Sequence, residues 1–226
     1  MTDCFGIEVS EEEISRWNVL IGNDEWTQRW FVSMGSPYEN VPVAPDEVFH
    51  LRIPVGDALN TKIIMEVGCG FGVHARNCLS YSDYYVGIDV APICIAASSY
   101  LHRNISKAKF WHTVYDSEMI SSLEGRVGGM FGVDFFYHQP FERLSPIVRF
   151  CHRMLHDGGW LSIDQIHGFE RKGPPVGGMM GAAWDSFQEK RESLVQFLSS
   201  VGFSDVRVEE SDFPWGQKLD FVICRK

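Results

Sequence analysis

Short apolar runs alternate with stretches of helical spacing from residue 60 onward. Lys62–Val67, Tyr84–Ile88, Ala108–His112, Met130–Phe136 and Trp160–Ile163 predict buried strands. Val73–Leu79 begins a helix, and Ala91–Leu101 predicts another, with Pro92 tolerated in its first turn. Ser145 is suited to cap a third helix with Pro146 as its first residue. Ile147, Phe150, Cys151 and Met154 then continue one apolar face to Leu155. Asp157-Gly158-Gly159 predicts the turn into the fifth strand. Trp184–Ser200 predicts a helix ending near Gly202, and Val206–Glu209 and Leu219–Cys224 predict the last strands. Alternation of this kind is the pattern of an α/β fold, a mostly parallel sheet with helices on both faces.

The first 59 residues follow a different pattern. Ser10 and Glu13 have the spacing of a capping box, and Ile14, Trp17, Leu20 and Ile21 recur on one face behind it. A second helical piece is expected over Glu25–Met34, before Gly35, Pro37, Pro42 and Pro45 interrupt the chain. Residues 1–59 are therefore expected to be a helical cover over a domain spanning 60–226. Within that domain, Gly168, Gly173, Pro174-Pro175, Gly177-Gly178 and Gly181 interrupt any regular element. Segment 168–183 reads as a lid insertion, because Met179-Met180 need cover; a surface loop is the competing reading.

The chemistry concentrates at Ile63-Ile64-Met65-Glu66-Val67-Gly68-Cys69-Gly70-Phe71-Gly72 and at Asp89, which closes the second apolar run 21 positions after Gly68. Glycines at the end of a buried strand let backbone approach a ligand closely, and a carboxylate one strand on can hold two vicinal ribose hydroxyls. The pattern is G-x-G-x-G. Val73 stands where the dinucleotide fingerprint has its third glycine, which argues against a nicotinamide or flavin cofactor.

Glu66–Gly72 resembles the first motif of class I S-adenosylmethionine-dependent methyltransferases. Asp134-Phe135-Phe136-Tyr137-His138-Gln139 is similar to their fourth, and Arg153-Met154-Leu155-His156-Asp157-Gly158-Gly159 to their turn into strand five. The resemblance covers roughly residues 60–226 and implies a Rossmann-like seven-stranded sheet with a final antiparallel strand. It implies S-adenosyl-L-methionine as cofactor, with Glu66, Gly68, Gly70, Gly72, Asp89, Val90, Asp116 and Asp134 around it. Asp89 would take the ribose, and Asp116 the adenine amino group.

Composition narrows the acceptor. A formal charge of −10 and the absence of any dense Lys/Arg run oppose a nucleic-acid substrate. The fourth motif also lacks both prolines of the D/N-P-P-Y form that serves planar amino groups of nucleic acids or glutamine. A small-molecule acceptor is expected, with a hydroxyl or carboxylate ahead of an amine. His138 and His167, beyond strands four and five, are the candidate catalytic residues, as base or substrate clamp. Tyr137 and Glu170 are further candidates, the latter favouring an amine. Protein or RNA methylation, and cofactor binding without catalysis, are the alternatives. A magnesium site on Asp134 and Asp164 is disfavoured because Gln165 replaces the asparagine such enzymes carry; no metal is expected.

Six scattered cysteines without a C-x-x-C read as free buried thiols, as in a reducing cytoplasm. No secretory pattern or apolar run of about 18 residues occurs, so a cytoplasmic protein without a membrane span is expected. A homodimer is compatible with the sequence.

Overall fold

The computed structural model describes residues 1–23, 61–133, 135, 136, 139, 141–167, 191–212 and 218–226. The second helical piece at Glu25–Met34, the rest of the cover to residue 59, the lid segment 168–183 and the start of the predicted helix at 184–190 lie outside these residues. The described elements are α1 Glu11–Asn23, β1 Thr61–Val67, α2 Ala75–Leu79, β2 Ser82–Asp89, α3 Pro92–Leu101, β3 Ala108–His112 and α4 Ser117–Ser121. They continue with β4 Val127–Gly132, α5 Phe141–Met154, β5 Leu155–His167, α6 Arg191–Val201, β6 Ser204–Asp212 and β7 Lys218–Arg225.

The strands form one seven-stranded sheet in the order β3-β2-β1-β4-β5-β7-β6. The first five are parallel to their neighbours, and β7 runs antiparallel between β5 and β6. This is the Rossmann-like architecture the sequence led us to expect. Strand order reverses beside β1, between β2 and β4, which opens a crevice at the carboxyl ends of the parallel strands.

Successive residues of a strand face opposite sides of a sheet, and here both sides are dry. Met65, Val67, Ile88, Met130, Leu161 and Ile163 pack on one side with Leu144, Val148 and Cys151 of α5 and Leu198 of α6. Ile64, Tyr85, Phe131 and Trp160 pack on the other with Ala75 and Cys78 of α2. Cys4 and Phe5 belong to the first of these clusters, so the N-terminal segment is part of the core. All six cysteines are free and buried, as expected.

Several boundaries differ from the sequence reading: β4 ends at Gly132 rather than Phe136, and three starts move most. β4 begins at Val127 rather than Met130, because Gly128 and Gly129 are strand residues. A Cβ on Gly129 would sit 2.2 Å from the Trp160 ring, and one on Gly128 would meet Thr61 Oγ1 at 1.4 Å. Helix α5 begins at Phe141, leaving Pro146 inside it. An interior proline forfeits its bond to the carbonyl four residues back and costs about 3 kcal/mol; burial of Leu144, Ile147, Val148, Phe150 and Cys151 offsets that loss. Strand β5 begins at Leu155, and Asp157-Gly158-Gly159 forms an irregularity where its register with β4 shifts. No described helix is long and apolar enough to cross a membrane.

Gly129→Ala should therefore destabilise the protein by about 1–3 kcal/mol through overpacking. Trp160→Phe in the same chain should recover part of that loss beyond additivity, because it removes the ring atoms nearest the new methyl. Denaturant unfolding of both single variants and the double variant measures the coupling.

Candidate functional site

The turn from β1 to α2 carries positive φ at Gly68 (70°), Gly70 (51°) and Gly72 (72°), a region that side chains other than glycine's rarely enter. Its backbone is tied to the end of β2. Gly68 N–H and Cys69 N–H donate to the Ile88 carbonyl at 2.8 and 3.1 Å, and Gly70 N–H donates to Asp89 Oδ2 at 3.0 Å. Asp89 Oδ1 accepts from Ala91 N–H at 2.8 Å. One carboxylate thus sets both the glycine turn and the start of α3. Burial pushes the Asp89 pKa above the usual carboxylate value, and its backbone amide donors oppose that shift only in part.

The three glycines have different surroundings. Gly68 lies under the Phe135 ring, and a Cβ on Gly72 would strike Phe110 and His102. A Cβ on Gly70 would meet nothing within 4 Å, so open space lies against the turn at this residue. That space belongs to a cavity of about 280 Å³. Its floor is Val67, Gly68, Gly70, Asp89, Val90 and Thr113, at the ends of β1, β2 and β3. Thr113 Oγ1 is buried and has no hydrogen-bond partner among the described residues.

The roof comes from the N-terminal segment, part of the expected cover, and from α5; the sequence reading assigned none of their individual residues to the site. Asp3, Phe5, Ile7, Val9, Glu13 and Trp17 line it from one side, and Arg143 and Ile147 from the other. Asp3 Oδ1 accepts from Phe5 N–H and Ile7 N–H, both at 2.9 Å, folding the segment into a compact loop. Cys4 N–H donates to the Thr113 carbonyl at 2.8 Å and anchors that loop to the end of β3. Glu13 is the third residue of α1. Its N–H donates to Ser10 Oγ at 3.1 Å, half of the expected capping box, but its carboxylate pairs with Arg143. The second arm of that fork, Arg143 Nη2 to Glu13 Oε2, is 2.9 Å.

Of the residues expected around a cofactor, Gly68, Gly70, Asp89 and Val90 meet at the cavity. Glu66 is not among its lining residues. It is buried beneath the turn, accepting from the Tyr85 hydroxyl on one oxygen and sharing a 2.7 Å hydrogen bond with His74 Nδ1 on the other. Burial, then the Glu66 charge, pushes the Tyr85 phenol well above its ordinary pKa, so it remains a donor. Asp116 is also outside the lining: its Oδ2 accepts from His112 N–H at 2.7 Å and braces the turn after β3. Gly72 faces Phe110 and not the cavity. Asp134, Tyr137, His138 and Glu170 lie outside the described residues, and so does the side chain of His167, whose backbone ends β5.

No protein-family model and no curated protein matches this sequence. Solved structures do match it. Phosphoethanolamine N-methyltransferase 2 of Haemonchus contortus, in complex with S-adenosyl-L-methionine, aligns with a TM-score of 0.64 at 12% identity over 97% of this chain. The chain spans only 60% of that protein's length. The 1,6-didemethyltoxoflavin-N1-methyltransferase of Burkholderia thailandensis aligns with a TM-score of 0.63 at 13% identity, covering 97% of this chain and 91% of its own. The [4+2]-cyclase SpnF aligns with a TM-score of 0.55 at 14% identity over 74% of this chain and 76% of its own. Likeness at these identities establishes the fold.

Both carboxylate oxygens of Glu66 are engaged below the turn. Glu66→Gln should lower the unfolding free energy by roughly 1–3 kcal/mol, since one buried partner is left mismatched. Affinity for S-adenosylhomocysteine should change little once the variant is folded. Thermal unfolding and calorimetric titration, run on one preparation, separate the two effects.

Proposed function

We propose that this chain, which has the class I S-adenosylmethionine-dependent methyltransferase fold, transfers a methyl group from S-adenosyl-L-methionine to a small molecule, at nitrogen rather than oxygen. The observation that carries the cofactor assignment is the meeting of Gly70 and Asp89 at the open end of the cavity. The donor set fits the group. Asp89 has acceptor capacity beyond its two amide bonds, and Gly70 leaves room for close backbone approach. Bound S-adenosylmethionine supplies a methyl carbon already activated on a sulfonium.

The protein's part is placement and exclusion of water. In this reading Asp89 holds the ribose and Gly68 and Gly70 pass beneath the methionine portion. Phe135, packed on Gly68, closes the side toward β4. The acceptor enters from the roof, between the N-terminal loop and α5. Preference for nitrogen rests on the charged lining: Asp3, Glu13 and Asp89 stand against the single cation Arg143 among the described residues. The solved structures named for N-methyl transfer, from Haemonchus contortus and Burkholderia thailandensis, lend that preference support. A hydroxyl acceptor would call on His138 or His167 as base, and neither side chain belongs to the described set.

Calorimetric titration with S-adenosylmethionine and S-adenosylhomocysteine, followed by labelled-methyl transfer to a panel of small amines and alcohols, tests this function. Absence of binding removes the cofactor assignment, and label appearing only on alcohols removes the nitrogen preference. Asp89→Ala should weaken cofactor binding by about 1.5–3 kcal/mol, roughly ten- to a hundredfold, with the loss of hydrogen bonds to a charged group.

Cofactor affinity should also depend on pH. The ionised carboxylate is the stronger acceptor for ribose hydroxyls, and burial raises the Asp89 pKa. Affinity should therefore fall as pH drops through a midpoint above the ordinary carboxylate value. For folding the sign is opposite: a raised folded-state pKa makes the native protein bind more protons, so this group's contribution to stability declines as pH rises through the same window. Titrations from pH 8 to 5 on the parent and Asp89→Asn check both, since the variant should lose both dependences.

A further inference from the structure

The roof of the cavity contains a carboxylate with one oxygen committed and one available. Asp3 Oδ1 accepts both loop amides, whereas among the described residues Oδ2 has no hydrogen-bond partner. The side chain is nine-tenths buried and lines the cavity. Oδ2 is not among the buried unpartnered atoms, so it keeps accessible surface that a ligand donor can reach. Its nearby charges are Arg143 and Glu13, which bear on it with opposite signs, and the Arg143 fork is already closed on Glu13. Arg143 is therefore not free to serve as an anion receptor. Thr113 also lines the cavity, and its carbonyl anchors the loop that carries Asp3 through the Cys4 amide. Phe5, Trp17 and Phe135 supply aromatic walls, surfaces that favour organic cations.

We propose that Asp3 is the acceptor-binding carboxylate of this site, and that it selects a small amine arriving as its ammonium ion. The assignment deepens the methyltransferase reading and rests on it. An ammonium group donates to Asp3 Oδ2, and the aromatic walls enclose its carbon skeleton. One N–H proton can pass to Oδ2, forming the carboxylic acid and leaving the nitrogen lone pair free. Burial raises the Asp3 pKa and so favours that transfer. The paired Glu13 and Arg143 keep the roof near α5 without presenting a net charge of their own. A neutral alcohol of the same shape gains the walls and loses the ionic bond.

The test uses the full chain loaded with S-adenosylhomocysteine and a size-matched pair of probes, 2-phenylethylammonium and 2-phenylethanol, titrated calorimetrically. The ammonium should bind at least about tenfold more tightly than the alcohol, as a charged hydrogen bond would give. Asp3→Asn keeps an oxygen for the Phe5 and Ile7 amides but removes the charge. It should abolish the preference and leave S-adenosylhomocysteine affinity little changed. Equal binding of the two probes, or binding of neither, overturns the proposal. So does a preference that survives in Asp3→Asn. Loss of S-adenosylhomocysteine binding in that variant would also overturn it, because Asp3 would then be holding the loop rather than the acceptor. Failure of the parent chain to bind S-adenosylhomocysteine is a separate result, which strikes the cofactor assignment instead.

Discussion

The cavity depends on one contact, the hydrogen bond from Gly70 N–H to Asp89 Oδ2. Three glycines within five residues give the β1–α2 turn a large conformational entropy in the unfolded chain, and folding must offset it. The offset comes from β2. Its Ile88 carbonyl takes two amides of the turn and its Asp89 carboxylate takes a third. Parallel pairing of Glu66 with Gly87 and Val67 with Ile88 brings those acceptors level with the turn. The same carboxylate holds Ala91 N–H at the start of α3. Glycine turn and helix start are thereby tied together by one side chain, which also lines the cavity.

Beneath that contact lies a second polar layer, Glu66 with Tyr85 and His74. A buried carboxylate with two hydrogen-bond partners is tolerable, whereas one with none is costly. Its position explains why the acidic residue preceding the glycines is held away from the cavity. Tyr85 comes from the neighbouring strand and His74 from the residue before α2, and both reach Glu66 from the far side of the turn. This layer stiffens the floor on which the upper contact sits.

Features carried by local spacing were legible in the sequence. The strand–glycine–helix run and the acidic end of β2 are encoded within a few tens of residues, and both appear at the cavity. β3 falls on Ala108–His112 as expected. What was not legible depends on partners distant in the chain. Gly128 and Gly129 fall outside the expected fourth strand because the Thr61 and Trp160 side chains that need their space lie over thirty residues away. Pro146 read as a helix start because the burial that lets α5 run through it is a property of the packed sheet. Glu13 showed capping-box spacing but lies within reach of Arg143, 130 positions on, and a two-pronged ionic bond outcompetes a single arm to a backbone amide. Asp3 gave no signal: only the tie between Cys4 and Thr113 reveals that the loop it organises lies over the strand ends.

A shared fold does not choose a reaction, and the likeness to a [4+2]-cyclase alongside two N-methyltransferases makes that concrete. The discriminating residues must lie where chains of this architecture are free to differ. The floor of this cavity is built from strand ends, where backbone geometry is constrained by sheet pairing. Its roof is built from residues 3–17 and α5, where no ladder restrains the choice of side chain. Two carboxylates, one closed ion pair and two aromatic rings line the cavity at this level, and among the described residues there only Asp3 presents an uncommitted carboxylate oxygen. In the proposed function, selection of the acceptor is separated physically from binding of the cofactor: strand-end glycines and Asp89 would serve the latter, and a loop organised by its own aspartate the former. The two halves meet at Thr113, whose carbonyl anchors the roof and whose unused hydroxyl belongs to the floor.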